Sequence, residues 1–157
     1  MWARSIDLLL FEAILGRLIH LVAPQPLEDY ETLAAIMVFT ASSFVWVLVE
    51  PLFLTRFSAT PGKMVWRIAI KRRDGQPMTY WVALSRAVDV WIRGLGASIP
   101  PVGLITSFLA WRTLVNRGET TWDRDGGFVV VHGEVGPLRA FVGVGLCFVI
   151  IALAGSR

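Results

Sequence analysis

Cysteine is nearly absent from this 157-residue chain: the one thiol, Cys147, lies inside an apolar run. No intramolecular disulfide can form, and no cysteine-based metal site can be built. Histidine is almost as scarce, with only His20 and His132. No Ser-His-Asp or Cys-His set stands at a recognisable spacing, and the residues carry no other enzyme signature. Charge is thin as well: 17% of the residues are charged against 55% hydrophobic, at a mean hydropathy of +0.60. A soluble domain holds its apolar share near ~45–50%, so the composition points to an integral membrane protein. A net charge of +3 and a pI near 9.6 do not indicate nucleic-acid binding, because the basic residues cluster beside the oily runs, as membrane topology signals do.

The oily runs set the architecture. Ser5 to Ala23 reads as a first membrane helix ending at Pro24-Gln25-Pro26; proline there removes helix donors. Asp7, Glu12 and Arg17 interrupt what would be a signal-peptide core, and "HLVAPQP" is a poor cleavage site, so the segment is read as retained. An acidic link with Glu28, Asp29 and Glu31 follows. Leu33 to Leu54 is a second helix, expected to kink or end near Pro51, just after its lone carboxylate Glu50. Pro137 to Ala154 is a last helix. Its small residues Gly136, Ala140, Gly143, Cys147 and Ala154 form a packing face for its own helices or for a second copy of the chain.

Arg56, Lys63, Arg67, Lys71, Arg72 and Arg73 crowd the loop after the second helix, against one acid, Asp74. The link between the first two helices has no Lys or Arg, so the basic loop and the N-terminus are assigned to the cytoplasm. Within that loop "MVWRIAI" alternates like a strand and "RDGQ" turns. A lone strand needs a partner, and "GFVVVHG", Gly127 to Gly133, is the comparable run. If the two pair, Trp81 to Asn116 must leave the cytoplasm and return as a helical hairpin turning at "SIPPVG", tilted or re-entrant because each arm is short. The competing reading makes Trp81 to Leu114 a single crossing and places Arg117, Arg124 and Arg139 outside, against the charge rule. The fold expected is thus an all-α integral membrane protein with three full transmembrane helices, a hairpin between the second and the last, and a small β-containing cytoplasmic cap. No internal repeat is legible.

"ARSIDLLLFE", "TPGKMVWRIAIKRRDGQPMT" and "TTWDRDGGFVVV", in that order and spacing, resemble the RDD family of bacterial and archaeal multipass membrane proteins, over about residues 3–131 of a single domain spanning 1–157. Of the arginine and two aspartates for which that family is named, the aspartates correspond to Asp7 and Asp123, and Arg4 is the nearest candidate for the arginine. Thr60, Gly62, Lys63 and Asp74-Gly75 match its middle motif. Trp122 stands where the family usually has histidine, ahead of Asp123 and Arg124. The resemblance implies a cytoplasmic (inner) membrane location and a transport-related role, with cation/proton exchange proposed for some members.

Chemistry is sought first among ionisable residues in the membrane segments, each costing about 2.5–3.5 kcal/mol on insertion scales. Asp7, Glu12, Glu50, Arg86, Asp89 and Arg93 form the candidate polar cluster. All but Glu12 lie near the inner interface, with Asp7 expected to pair with Arg86 or Arg93. In one reading Asp7 or Glu50 alternates between a proton and a cation; in the other the charges are fixed salt bridges holding the helices in register. Lys63 does not belong to a Walker A loop, because Phe57 and Met64 occupy positions where glycine and a hydroxyl are required. It is expected to face anionic lipid head groups or a cytoplasmic acid. Neither a cofactor nor a metal site is indicated. A scaffold that recruits a partner or anionic lipid through its basic cap is the alternative function. A lipid-directed enzyme using Asp7, Glu12 or Asp123 lacks a nucleophile.

Overall fold

A computed structural model describes residues 2–22, 31–136, 141–145 and 148–149. Two long helices come first, α1 (Trp2–Val22) and α2 (Glu31–Phe57). A five-residue helix α3 (Pro61–Val65) leads into strand β1 (Ile68–Arg72), followed by α4 (Tyr80–Asp89). The chain then passes through a π-helical turn, Val90–Gly94, and a 3-10 turn, Gly96–Ser98, into α5 (Pro100–Arg117). Another five-residue helix, α6 (Thr121–Asp125), precedes strand β2 (Phe128–His132).

Ile36–Phe57 is the one described stretch long and apolar enough to cross a bilayer. At 27 residues α2 is about 40 Å long, more than a hydrocarbon core of about 30 Å. Of the two outcomes expected at Pro51, an end is ruled out: α2 runs through the buried proline to Phe57 and closes with Ser58 N–H donating to the Leu54 carbonyl at 2.9 Å. Glu31, assigned to the acidic link, is its first residue, while Glu28 and Asp29 lie outside the described residues. The last helix is described only as helical at 141–145 and 148–149. Gly143 there backs onto the same chain: a Cβ on it would meet Val65 Cγ1 at 2.9 Å and Trp66 Cζ2 at 3.3 Å.

The strands pair antiparallel, in register from Ile68 opposite His132 to Arg72 opposite Phe128. The β-run is shorter than the alternation suggested, because Met64 and Val65 belong to α3, whose first turn starts at Pro61 after the extended Thr60. Proline suits that first position, having no N–H to leave unpaired. Leu54, Ile70, Ala83 and Phe128 pack together under the sheet and fasten it to α2 and α4.

With the strands paired, residues 80–117 fold out and back as a helical hairpin. Its arms meet where Val90, Ala110 and Trp122 cluster, and Thr106 and Ser107 donate to the Gly94 carbonyl at 3.3 and 2.9 Å. Ala97 and Ser98 turn the tip with φ of 53° and 63°. The tip touches α2 at Ser43, whose hydroxyl lies 2.6 Å from that of Ser98. Ser43 is about 21 Å along α2 from Phe57 and about 18 Å from Glu31. The hairpin therefore reaches only the midpoint of α2.

Candidate functional site

Helix α1 lays its N-terminal turns against α3. The Asp7 carboxylate accepts from the Thr60 hydroxyl and, through Oδ1, from Gly62 N–H at 2.6 Å. Glycine at 62 allows this approach: a Cβ there would run into the Ala3 carbonyl and lie 2.9 Å from Asp7 Oδ1. A carboxylate accepting a backbone N–H beside a hydroxyl is held by charge-assisted hydrogen bonds, roughly twice as strong as neutral ones. Asp7 pairs with neither Arg86 nor Arg93, as the sequence suggested; its partners come from the Thr-x-Gly turn.

Glu50, 0% exposed, is the centre of the site. Arg4 Nη1 bonds Oε2, Lys63 Nζ bonds Oε1 at 2.9 Å, and Arg86 Nη1 stands 3.9 Å from Oε1. Lys63 is thus buried on an acid of α2 and does not face head groups. Burial pushes its ammonium below the ordinary value, opposed by the attraction of Glu50. Arg86 in turn bonds Asp123 Oδ1 through Nε at 2.8 Å and Nη2 at 2.7 Å. Thr120 donates to Asp123 Oδ2 at 2.6 Å, and the guanidinium lies over the Phe128 ring, 5.7 Å from its centroid. Asp123, read from sequence as a separate cap motif, therefore belongs to the same buried group. Glu50 and Asp123 are paired with the three bases Arg4, Lys63 and Arg86, and Asp7 beside them is held by the Thr60 hydroxyl and Gly62 N–H. Such a set avoids the several kcal/mol that an uncompensated buried charge costs.

Asp89 and Arg93 stand apart from this cluster. They form a half-exposed pair at 3.4 Å, extended by Arg93 to Asp125 at 3.0 Å. Arg124 is exposed beside the same Asp125 at 3.3 Å. A cavity of about 560 Å³ opens nearby between α4 and the cap, lined in part by Arg72, Arg73, Asp74, Asp89 and Phe128.

A second polar tier lies deeper, at the level of the hairpin tip. Ser42 donates to Glu12 of α1 on one side of α2. On the other side Ser43, Ser98 and the Trp91 indole N–H, 3.1 Å from Ser98 Oγ, form a hydrogen-bonded group. Ser42, Ser43 and Ser98 are all buried. Sequence reasoning singled out Glu12 but missed the serines and Trp91 of this tier; their signal was the adjacent serines in "TASSF" and the "GAS" before Ile99-Pro100-Pro101, small polar residues inside apolar runs.

An apolar helix long enough to span, a helical hairpin packed against it and a two-stranded cap locked on by buried ion pairs mark a mostly helical protein with a small mixed cap. The RDD family model matches residues 1–154, nearly the whole chain. The protein belongs to the RDD family and is a membrane protein. No curated protein and no solved structure matches it.

Proposed function

We propose a transport-related role in which Glu12, rather than Asp7 or Glu50, is the carboxylate that exchanges a proton for a cation. One observation carries this reading: the helical hairpin is broken at mid-depth, and the break places Ser98 and Trp91 against Ser43 of α2, one residue from the serine that holds Glu12. Irregular backbone at membrane depth is tolerated where it is buried in protein or lines an aqueous cavity, and π-turns inside helices concentrate at functional sites. The Ser42 hydroxyl beside Glu12 can both donate and accept a proton, and the Ser43 and Ser98 hydroxyls continue a polar path across α2 to the break in the hairpin. Glu50, gripped by two cations with a third at 3.9 Å, is suited to fixed pairing instead. In this reading the hairpin is re-entrant, entering and leaving on the side of the cap, and the basic loop favours the cytoplasm for that side.

The test is flux in proteoliposomes carrying a pH dye, with an imposed Na⁺ or K⁺ gradient. The wild-type chain is expected to move protons against one of these ions, and Glu12→Gln to abolish the exchange while leaving the fold intact. Absence of flux with either ion, or full flux by Glu12→Gln, overturns the reading.

A second reading, a scaffold without transport, is favoured by the fixed ion pairs of Glu50 with Arg4 and Lys63 and of Arg86 with Asp123 under the cap. Its recruiting surface would be the cavity beside Arg72 and Arg73, offered to anionic lipid head groups. Vesicle flotation with and without anionic lipid, comparing wild type with Arg72→Ala/Arg73→Ala, tests it.

A further inference from the structure

The cap contains a regularity that the sequence conceals. From Phe57 to Arg72 and from Arg117 to His132 the chain follows one plan at a constant offset of sixty residues: end of a long helix, two-residue bend, extended threonine, five-residue helix, two-residue turn, five-residue strand. Thr60 and Thr120 have φ, ψ of −84°, 164° and −82°, 159°. Left-handed residues recur in step, Ser58 with Gly118 at 56° and 73°, and Arg67 with Gly127 at 50° and 67°.

Backbone hydrogen bonds repeat at the same offset. Ser58 to Leu54 matches Gly118 to Leu114, at 2.9 and 2.8 Å; Met64 to Thr60 matches Arg124 to Thr120, at 2.8 and 3.1 Å; Arg67 to Met64 matches Gly127 to Arg124, both at 3.2 Å. Between the two segments the relation is reciprocal: Arg73 N–H donates to Gly127 and Gly133 N–H donates to Arg67, each at 2.8 Å, and 73 and 67 are offset by sixty from 133 and 127. The strand register closes the symmetry, since Ile70 lies opposite its own counterpart Val130. A local two-fold axis therefore passes through that pair.

The ion pairs obey the same relation with the sign inverted. Lys63 and Asp123 hold the same position of the two short helices, and between them runs an alternating chain, Lys63–Glu50···Arg86–Asp123, with contacts of 2.9, 3.9 and 2.7 Å. We infer that the cap is an internal duplication, two copies of one helix-turn-helix-strand unit, and that Arg86 is the positioning residue that joins them. Lys63 fastens the first copy to Glu50, Asp123 fastens the second to Arg86, and the Glu50–Arg86 contact couples one fastening to the other. Opposite charges at the equivalent positions allow the two copies to be tied by a single chain of charges; like charges there would need two. The inference stands whether or not the protein transports an ion.

Amide hydrogen exchange on the full chain in nanodiscs tests it, with residues 61–65 and 121–125 as matched probes. Replacing Arg86 with Gln is expected to speed exchange about tenfold or more in both helices, although Arg86 bonds only the second copy directly. Glu50→Gln should carry the effect the other way, into 121–125. Arg86→Lys, which keeps the charge and loses the two-pronged contact, is expected to speed both helices by a smaller factor, and it supplies the reading if Arg86→Gln does not fold. Faster exchange in 121–125 alone, or in neither helix, from the Arg86 variants overturns the coupling and with it the assignment of Arg86.

Discussion

Adding one methyl group at Gly62 perturbs the contact that seats α1 on the cap. The new Cβ would overlap the Ala3 carbonyl oxygen, come within 3.1 Å of the Ala3 carbonyl carbon and stand 2.9 Å from Asp7 Oδ1. Two of these atoms are backbone, so relief requires the start of α1 to shift rather than a side chain to rotate. Overpacking of this kind costs about 1–3 kcal/mol. A shift of α1 also lengthens the 2.6 Å bond from Gly62 N–H to Asp7, a charged hydrogen bond worth about 1.5–3 kcal/mol. Alanine returns up to about 1 kcal/mol through helix propensity. The expected net loss for Gly62→Ala is about 2–5 kcal/mol, read by reversible unfolding in mixed micelles or by steric trapping in bicelles. Gly145→Ala is the control, because nothing lies within 4 Å of a Cβ at that position; it should be neutral or slightly stabilising. Asp7→Ala combined with Gly62→Ala should cost less than the sum of the two single changes, since both act on one contact. A Gly62→Ala protein within about 0.5 kcal/mol of wild type would refute the seating of α1 on α3.

Asp123→Asn should destabilise by about 3–5 kcal/mol, because it strips Arg86 of its bonded partner in a buried position; thermal unfolding of the purified chain checks this. Lys63 carries a lowered ammonium pKa against 10.5 for the free side chain. Between the folded value and 10.5 the unfolded chain binds more protons, so stability should rise with pH in that window. The pH dependence of unfolding should lose this rise in Lys63→Met, whose stability is lower throughout. At the hairpin tip, Ser43→Ala and Ser98→Ala should each cost about 0.5–1.5 kcal/mol, since each removes one hydrogen bond while the other hydroxyl keeps a partner in Thr40 or Trp91, and the double variant should cost less than their sum. Additive losses in a double-mutant cycle would show that the two serines do not meet.

Much of the framework was legible because each sign had a direct physical cause. Charge asymmetry and a lone strand seeking a partner led to the β1–β2 pair and to the hairpin between them. Turn chemistry at Thr60 and Gly62 marked the site at which Asp7 docks. The partners of the charges were less legible, since the spacing of Arg86, Asp89 and Arg93 on one helix says nothing of which elements surround each face. Arg86 turns inward to Asp123, whereas Arg93, two turns on, meets Asp125 at the surface. Pro51 does not end its helix: α2 continues six residues past the buried ring, to Phe57. The duplication was invisible because Thr60 and Thr120 are the one identity between residues 57–72 and 117–132. Backbone geometry kept what the side chains had lost.

The pairing of β1 with β2 also orders the assembly of the chain in time. Strand β1 leaves the ribosome sixty residues ahead of β2, about 3–12 s at ordinary rates of synthesis. Throughout that interval its edge is open, while the hairpin that will sit beside α2 is being made. The sheet closes only after both arms of the hairpin are in place. Until β2 arrives, β1 keeps an open edge and Arg86 lacks Asp123, so the sheet and the second half of the charge chain are completed in one step.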